Sequence, residues 1–191
     1  MKLSAVERCC KSAKYCNVWQ DGSQWIGDGA AMYRADNLPM LNEDNIKMMW
    51  SLSGKKADEF RVNIDENLPV EYSFGPLAES DEHLTLIAAT ACGRSYLRSD
   101  AGTLLAVQEK YLKPFTDDAE DITYICRRKQ DGTRYICAMR GVLVDGIIMP
   151  LKPLTDVLLR ELGDIYNAES VAAAEADTAE EPQEGEAHED L

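Results

Sequence analysis

The chain has 191 residues, of which 45% are hydrophobic, and a formal net charge of −14 at pH 7. This length is enough for one well-buried core. No stretch approaches 18 consecutive apolar residues, which argues against a membrane span. The apolar residues of the N-terminal segment are interrupted by Glu7, Arg8, Lys11 and Lys14, which leaves no continuous apolar run. This pattern is wrong for a secretory signal. We therefore expect a cytoplasmic protein with no membrane association.

Most of the negative charge lies at the C-terminal end. Nine of the acidic residues and none of the lysines or arginines fall in residues 168–191, so residues 1–167 carry only −5 of the total of −14. The segment is rich in Ala and Glu and contains almost no large apolar residue, a composition that cannot bury enough surface to offset chain ordering. We predict a single compact α+β domain over residues 1–167 and a disordered acidic tail over residues 168–191.

Sequence patterns in the first half of the chain predict helices separated by tight turns. Apolar residues at helical spacing predict an amphipathic helix over residues 3–14. Asp21-Gly22 and Asp28-Gly29 predict hairpin turns, because glycine supplies the positive φ that such turns need. Asn42 is a good N-cap for a helix over residues 43–52. Alternating apolar residues then predict strands over residues 59–64 and 70–74.

The second half of the chain predicts mainly strands. A short helical turn over residues 108–115 is expected to end at Pro114. Asp131-Gly132 predicts another hairpin turn. The predicted strands and hairpins cover residues 83–100, 102–107, 121–128, 133–141 and 141–151, and a final amphipathic helix covers residues 154–166.

Both halves share the order hairpin, short helix, strand. This order predicts an antiparallel sheet with short helices, built from two βαβ-type repeats over residues 1–75 and 80–150. Sequence identity between the halves is negligible, so the repeat is one of architecture.

No catalytic or metal-binding constellation emerges from the sequence. Of the two histidines, His188 lies in the acidic tail and His83 stands alone, and no nucleotide-binding glycine motif is present. The carboxylates of Asp117, Asp118, Glu120 and Asp121 could attract a divalent cation, but their spacing differs from that of a calcium loop. We predict a non-enzymatic protein with no metal and no cofactor.

The six cysteines match neither a metal knuckle nor a redox pair in their spacing. In a reducing compartment we expect them to act as small core or surface residues. Cys126 and Cys137 flank a predicted turn and could face each other across two strands.

Several basic residues lie on predicted helices or around one hairpin. Arg8 and Lys11 share a helix face, and positive charges presented by several short helices are typical of contacts to a phosphate backbone. The alternative is that these charges are solvated surface groups of an acidic protein. The candidate DNA-binding residues are Arg8, Lys11, Lys47, Lys110, Lys113, Arg127 and Arg128.

Two stretches of the sequence resemble bacterial DNA sliding clamps. The run EKYLKPF, followed by DITYICRR, RYICAM and GIIMPLK, is similar to the last clamp domain, which has a KYL helix, strands, and an apolar strand ending in MP and a basic residue. The matching residues are Lys110, Tyr111, Leu112, Met149 and Pro150.

The second stretch, WIGDGAAMYRAD followed by LNEDNIKMMW, is similar to a clamp pattern of strand, TDG turn, strand and helix. Asp28 and Gly29 match this pattern, and Gly27 stands where the family usually has Thr. Together the two stretches cover about a third of the chain. Clamp chains have three such domains, and this folded part has room for about one, or for two very trimmed ones. The helix over residues 154–166 has no counterpart in the family.

The resemblance implies a clamp-like fold that self-assembles around or along DNA with basic helices facing it. It favours a phage-type accessory protein of DNA replication that binds DNA or replication proteins. The chain is also similar in style to small accessory proteins encoded by phages and prophages of Firmicutes. A second hypothesis is a phage-encoded inhibitor that sequesters a host defence protein or its nucleotide signal, since the sequence lacks catalytic motifs and is acidic.

Overall fold

The computed structural model describes residues 1–91 and 93–151, and the side chains of residues 88–91 and 117–119 are not described. The described residues fall in one compact unit, Met1–Leu151. Cys92, the predicted helix over residues 154–166 and the predicted acidic tail over residues 168–191 lie outside the described residues.

The described part of the chain is α+β, as the sequence predicts. Its three α-helices are α1 (Leu3–Ala13), α2 (Glu43–Met49) and α3 (Lys55–Glu59). Two consecutive 3₁₀ helices, Glu109–Tyr111 and Lys113–Asp121, are together called the 3₁₀ segment. The strands are β1 (Tyr15–Asp21), β2 (Ser23–Gly27), β3 (Ala31–Arg34), β4 (Arg61–Asp65), β5 (Glu82–Ala91), β6 (Arg94–Ser99), β7 (Leu104–Gln108), β8 (Ile122–Arg128), β9 (Arg134–Arg140) and β10 (Leu143–Ile148).

The strands form one ten-stranded sheet in the order β4-β1-β2-β3-β10-β9-β8-β5-β6-β7. The pairings in this sheet are antiparallel except at one edge, where β4 pairs in parallel with β1 and makes the sheet mixed. Parallel pairing needs a crossover connection, and the chain from β1 to β4 supplies one through β2, β3, α2 and α3.

The centre of the sheet has a symmetric strand order. Two three-stranded meanders, β1-β2-β3 and β8-β9-β10, meet through their last strands, which pair antiparallel. A helical element precedes each meander, α1 in the first case and the 3₁₀ segment in the second, and these two elements contact each other. The described residues therefore contain two similar units, each a helical element followed by three strands.

These units differ from the repeats that the sequence predicts. The predicted order of hairpin, helix and strand does occur twice. In both cases the last strand lies beside the first strand of the preceding hairpin, β4 beside β1 and β8 beside β5. However, β4 runs parallel to β1 whereas β8 runs antiparallel to β5. The two predicted segments are therefore not copies of one motif.

Local sequence signals explain most element boundaries. Asn42 caps α2 through a reciprocal pair of hydrogen bonds with Asn45, at 2.9 and 2.7 Å. The turn after Asp21 contains Gly22 at a φ of 62°. The prediction that a helical turn stops at Pro114 was wrong, because the 3₁₀ segment continues to Asp121.

The two faces of the sheet carry separate apolar clusters. The larger cluster lies between the sheet and α1 with the 3₁₀ segment, and it includes Val6, Cys10, Ile46, Trp50 and Phe115. The smaller cluster includes Trp25, Met32, Tyr135, Met139 and Ile147. Because neighbouring residues of a strand point to opposite faces, this arrangement buries both faces of the central strands.

Residues 66–81 form a segment without helix or strand that we call the strap. The strap connects β4 at one edge of the sheet to β5 and packs on the smaller cluster through Phe74 on Trp25 and Tyr72 on Tyr135, with ring centroids 5.0 and 5.2 Å apart. The prediction of a strand over residues 70–74 was therefore wrong. The alternating aromatic residues of the strap pack on the sheet face, and the strap backbone does not pair with any strand of the sheet.

Candidate nucleic-acid interface

Helix α1 packs one side into the larger cluster and exposes the opposite side. Ala5, Val6, Cys9 and Cys10 are buried, which is the spacing of one helix face. The exposed positions, by contrast, are Ser4, Arg8, Lys11 and Ser12. The solvent side of α1 thus carries two cations and two hydroxyl groups, all of which are common donors to phosphate oxygens.

The 3₁₀ segment lies beside α1 and is held there by backbone atoms. The amide of Lys2 donates to the carbonyl of Pro114 at 2.7 Å, and the Cys9 thiol lies 3.5 Å from the carbonyl of Lys110. These contacts place Lys110 and the exposed Lys113 next to α1. The structure therefore places two cation-bearing elements from distant parts of the sequence side by side, and we call their solvent-exposed surface the helical face.

A buried hydrogen-bond network joins the turn after β2 to the start of the 3₁₀ segment. The Tyr111 hydroxyl donates to the carboxylate of Asp28 at 3.0 Å, and the Tyr33 hydroxyl donates to the carbonyl of Tyr111 at 3.0 Å. Asp28 also accepts from the amides of Ala30 and Ala31, both at 3.1 Å. The turn after β2 and the start of the 3₁₀ segment are thus fixed to each other, which orients Lys110 and Lys113.

Ion pairs at the helical face are exposed and therefore weak. Lys11 pairs with Glu7 at 2.5 Å, and Lys113 pairs with Glu109 at 3.2 Å. Exposed pairs of this kind contribute about 0–1 kcal/mol and are screened by salt. A phosphate group can therefore compete for Lys113 at small cost, whereas Lys11 also donates to the carbonyl of Trp50 at 2.8 Å.

Two other ionisable groups beneath the helical face, the Cys9 thiol and the Tyr111 hydroxyl, are buried and uncharged near neutral pH. Burial, with a smaller contribution from Asp28, raises the pKa of the Cys9 thiol from 9.0 to about 11. The pKa of Tyr111 is also raised, mainly by burial and then by the nearby Asp28 carboxylate. Since neither group ionises near pH 7, the charge of this face is set by its lysines and arginine together with the carboxylates of Glu7 and Glu109.

A basic groove borders the helical face next to the 3₁₀ segment. It has a volume of about 460 Å³ and is lined by residues that include Arg94, Lys110 and Lys113. Arg94 begins β6 and was not among the predicted DNA-binding residues. Nothing in the local sequence distinguishes it. It lies beside the two lysines because β6 pairs with β7, where Arg94 is opposite Gln108, the residue that directly precedes the 3₁₀ segment.

Four of the seven predicted DNA-binding residues lie on the two contacting elements of the helical face, namely Arg8, Lys11, Lys110 and Lys113. The other three lie on α2 and β8. Lys47 is half-buried on α2 and pairs with Glu43 at 2.7 Å. Arg128 ends β8, the strand that starts next to the 3₁₀ segment, so six residues of extended chain place it about 20 Å from that segment.

Arg127 does not belong to any DNA-binding surface, and this prediction was wrong. Its side chain is buried and forms an ion pair with the equally buried Asp81 at 2.8 Å. The guanidinium also donates to the carbonyls of Ser73, Gly75 and Pro76 at 2.7–3.0 Å. Arg127 therefore anchors the strap to the sheet, and its charge is already neutralised.

An apolar cleft lies on the opposite face of the sheet, under one end of the strap. It has a volume of about 130 Å³ and is lined by residues that include Trp19, Met32, Tyr72, Ile147 and Met149. The nearby Val70 is 93% exposed. A cleft lined by aromatic, methionine and aliphatic side chains suits an apolar group rather than a phosphate.

The cysteines of the described residues are buried and free, namely Cys9, Cys10, Cys16, Cys126 and Cys137. The idea that Cys126 and Cys137 face each other was wrong, because they belong to the two separate clusters on opposite faces of the sheet. Within the described residues, no group of three or more His, Cys, Asp or Glu residues is arranged to hold a metal ion. No helix of the described part of the chain is long and apolar enough to cross a membrane.

No protein-family model matches this chain, and no curated protein and no solved structure shows a significant match to it. Function is therefore inferred from the chemistry of the helical face and the apolar cleft.

Proposed function

We propose that this protein is a non-enzymatic accessory protein of DNA replication, of the kind encoded by phages, whose helical face contacts the phosphate backbone of DNA. The observation that carries the proposal is the side-by-side packing of α1 and the 3₁₀ segment, which collects Arg8, Lys11, Lys110 and Lys113. The paired units of helical element and three strands support a clamp-like arrangement, in which short helices present positive charge to DNA.

The overall negative charge does not oppose this function. The nine acidic residues of residues 168–191 account for most of the −14, and phosphate contacts depend on local cations because charges further apart than about 8 Å are screened at physiological salt. A local cluster of four cations is sufficient for weak backbone binding that falls steeply with salt.

Replacing Lys113 by Gln tests this proposal. We expect the affinity for a fluorescein-labelled DNA duplex to fall about 8-fold at about 0.1 M salt, since each lost phosphate contact removes about one released counterion. Fluorescence anisotropy titrations of the full chain at several salt concentrations measure both the affinity and the salt dependence. The plot of log affinity against log salt should become shallower by about 1.

Arg128→Gln is the matched control. Arg128 and Lys113 have similar side-chain exposures, 54% and 46%, and each forms one exposed ion pair, with Glu82 at 3.4 Å and Glu109 at 3.2 Å respectively. We expect Arg128→Gln to leave the affinity within about 2-fold of the original protein. The proposal would be refuted if both variants lost the same affinity for DNA. It would also be refuted if the unsubstituted protein showed no salt-dependent DNA binding.

A second candidate function is an inhibitor that sequesters a protein of the host, including a defence protein. The apolar cleft favours it, because Trp19 and Met149 lie where an apolar side chain of a partner could insert. Glu71 also lines this cleft and is exposed.

Affinity capture from a bacterial lysate with Glu71→Lys and Lys113→Gln separates the two functions. An inhibitor acting through the cleft should lose its captured protein with Glu71→Lys and keep it with Lys113→Gln. Loss with Lys113→Gln alone would contradict the inhibitor and point back to the helical face.

A further inference from the structure

A second basic groove lies at the C-terminal end of α1, formed by residues that no sequence pattern groups together. It has a volume of about 330 Å³, and its lining includes Lys11, Lys14, Ser51, Lys56 and Glu59. Lys11 belongs to the exposed side of α1, so this groove adjoins the helical face. Lys14 and Lys56 were not among the predicted DNA-binding residues.

Three cations from different elements converge on this groove. Lys11 comes from the last turn of α1, Lys14 follows that helix, and Lys56 lies on α3. One carboxylate, Glu59, lies among them and pairs with Lys14 at 3.1 Å. Both side chains of this pair are well exposed, at 71% and 46%, so solvent screens their attraction and a phosphate group can replace Glu59 as the partner of Lys14.

Backbone strain is concentrated at the same groove. Among the described residues, Lys14 at φ 61° and Ser51 at φ 51° are the non-glycine residues with positive φ, and both line it. Lys14 follows α1 and Ser51 follows the C-cap of α2, where glycine is the usual residue because a Cβ atom raises the energy of this conformation. At both helix ends the chain instead places a phosphate-binding group, an ammonium and a hydroxyl.

We infer that this groove holds a phosphate group of the same nucleic-acid backbone that the helical face contacts, and that Lys14, Ser51 and Lys56 are binding residues for it. This inference rests on the proposed function. It extends the contact surface from the 3₁₀ segment along α1 to α3. Strained residues often mark functional positions, and here their side chains match the chemistry of the ligand.

Lys56→Gln tests the inference against Lys55→Gln, its neighbour on α3. Lys55 is 89% exposed and does not itself line the groove, although it forms an exposed ion pair with the groove carboxylate Glu59 at 3.7 Å. Both substitutions remove one positive charge from the same short helix. Gln and Lys have similar helix propensities, so neither substitution should disturb α3. With a fluorescein-labelled DNA duplex and the full chain, we expect Lys56→Gln to weaken binding about 8-fold at about 0.1 M salt and to reduce the salt slope by about 1.

Lys55→Gln should change the affinity by less than about 2-fold. Lys14→Asn supplies a second variant, because Asn tolerates positive φ while the substitution removes the ammonium group. We expect the same loss as for Lys56→Gln. Equal effects of Lys55→Gln and Lys56→Gln would overturn the inference even if the original protein binds DNA. If the unsubstituted protein binds DNA without salt dependence, or does not bind DNA, the proposed function itself is overturned.

Discussion

Replacing Arg127 by Met should destabilise the protein by about 3–5 kcal/mol, since removing one partner of a buried ion pair leaves an uncompensated charge. Both side chains of the pair, Arg127 and Asp81, are only 4% exposed. The substitution also deprives the carbonyls of Ser73, Gly75 and Pro76 of their donor. Urea unfolding measures the loss of stability, and hydrogen exchange should show faster exchange of the strap.

Arg128→Met is the control for this prediction. Arg128 is the next residue in β8, but its side chain is exposed and pairs with Glu82 near the surface. Its replacement should change the unfolding free energy by no more than about 0.5 kcal/mol. A loss below about 1 kcal/mol for Arg127→Met would contradict the assignment of this residue as the anchor of the strap.

Replacing Gly27 by Ala should destabilise the protein by about 3 kcal/mol through a steric clash. A Cβ atom at Gly27 would lie 1.9 Å from the carbonyl oxygen of Ala31 and 2.8 Å from the Cα atom of Met32. Both are backbone atoms of β3, which cannot move without breaking the β2–β3 pairing. Thermal and urea unfolding measure the effect.

Gly75→Ala provides the comparison. The nearest atom to a Cβ at Gly75 is the Ser73 hydroxyl at 3.8 Å, an ordinary contact. We expect Gly75→Ala to stay within about 0.5 kcal/mol of the original protein. If Gly27→Ala is equally neutral, the close approach of β2 and β3 at this turn is absent in solution.

The residue before Asp28 therefore has no space for a side chain, and glycine at this position reflects the local packing of β2 against β3.

Several elements could be predicted from the sequence because their signals are local. Helix α1 follows from the spacing of Val6 and Cys10, and α2 from the capping residue Asn42. The turns at Gly22 and Gly132 follow from Asp-Gly pairs between strands, and both glycines have positive φ. Signals of this kind involve residues close together in the chain, so they do not depend on the rest of the fold.

The candidate site was predicted only in part. Arg8, Lys11, Lys110 and Lys113 could be identified as cations on helical segments, but Arg127 lies in an alternating strand pattern whose burial depends on what covers the sheet. The strap covers it, and the strap was predicted as a strand. Arg94, Lys14 and Lys56 could not be found, since each depends on contacts between elements far apart in the chain.

Local sequence patterns are thus sufficient to predict the α+β class, the positions of most helices and turns, and the cationic character of α1 and of the 3₁₀ segment. Three features became evident from the fold alone: the parallel pairing of β4 with β1, the pairing of β3 with β10, and the packing of α1 beside the 3₁₀ segment. Capping and turn chemistry can be predicted because they act over a few residues. Strand pairing and the burial of Arg127 depend instead on the relative free energy of long-range contacts, such as those that the strap makes across the sheet.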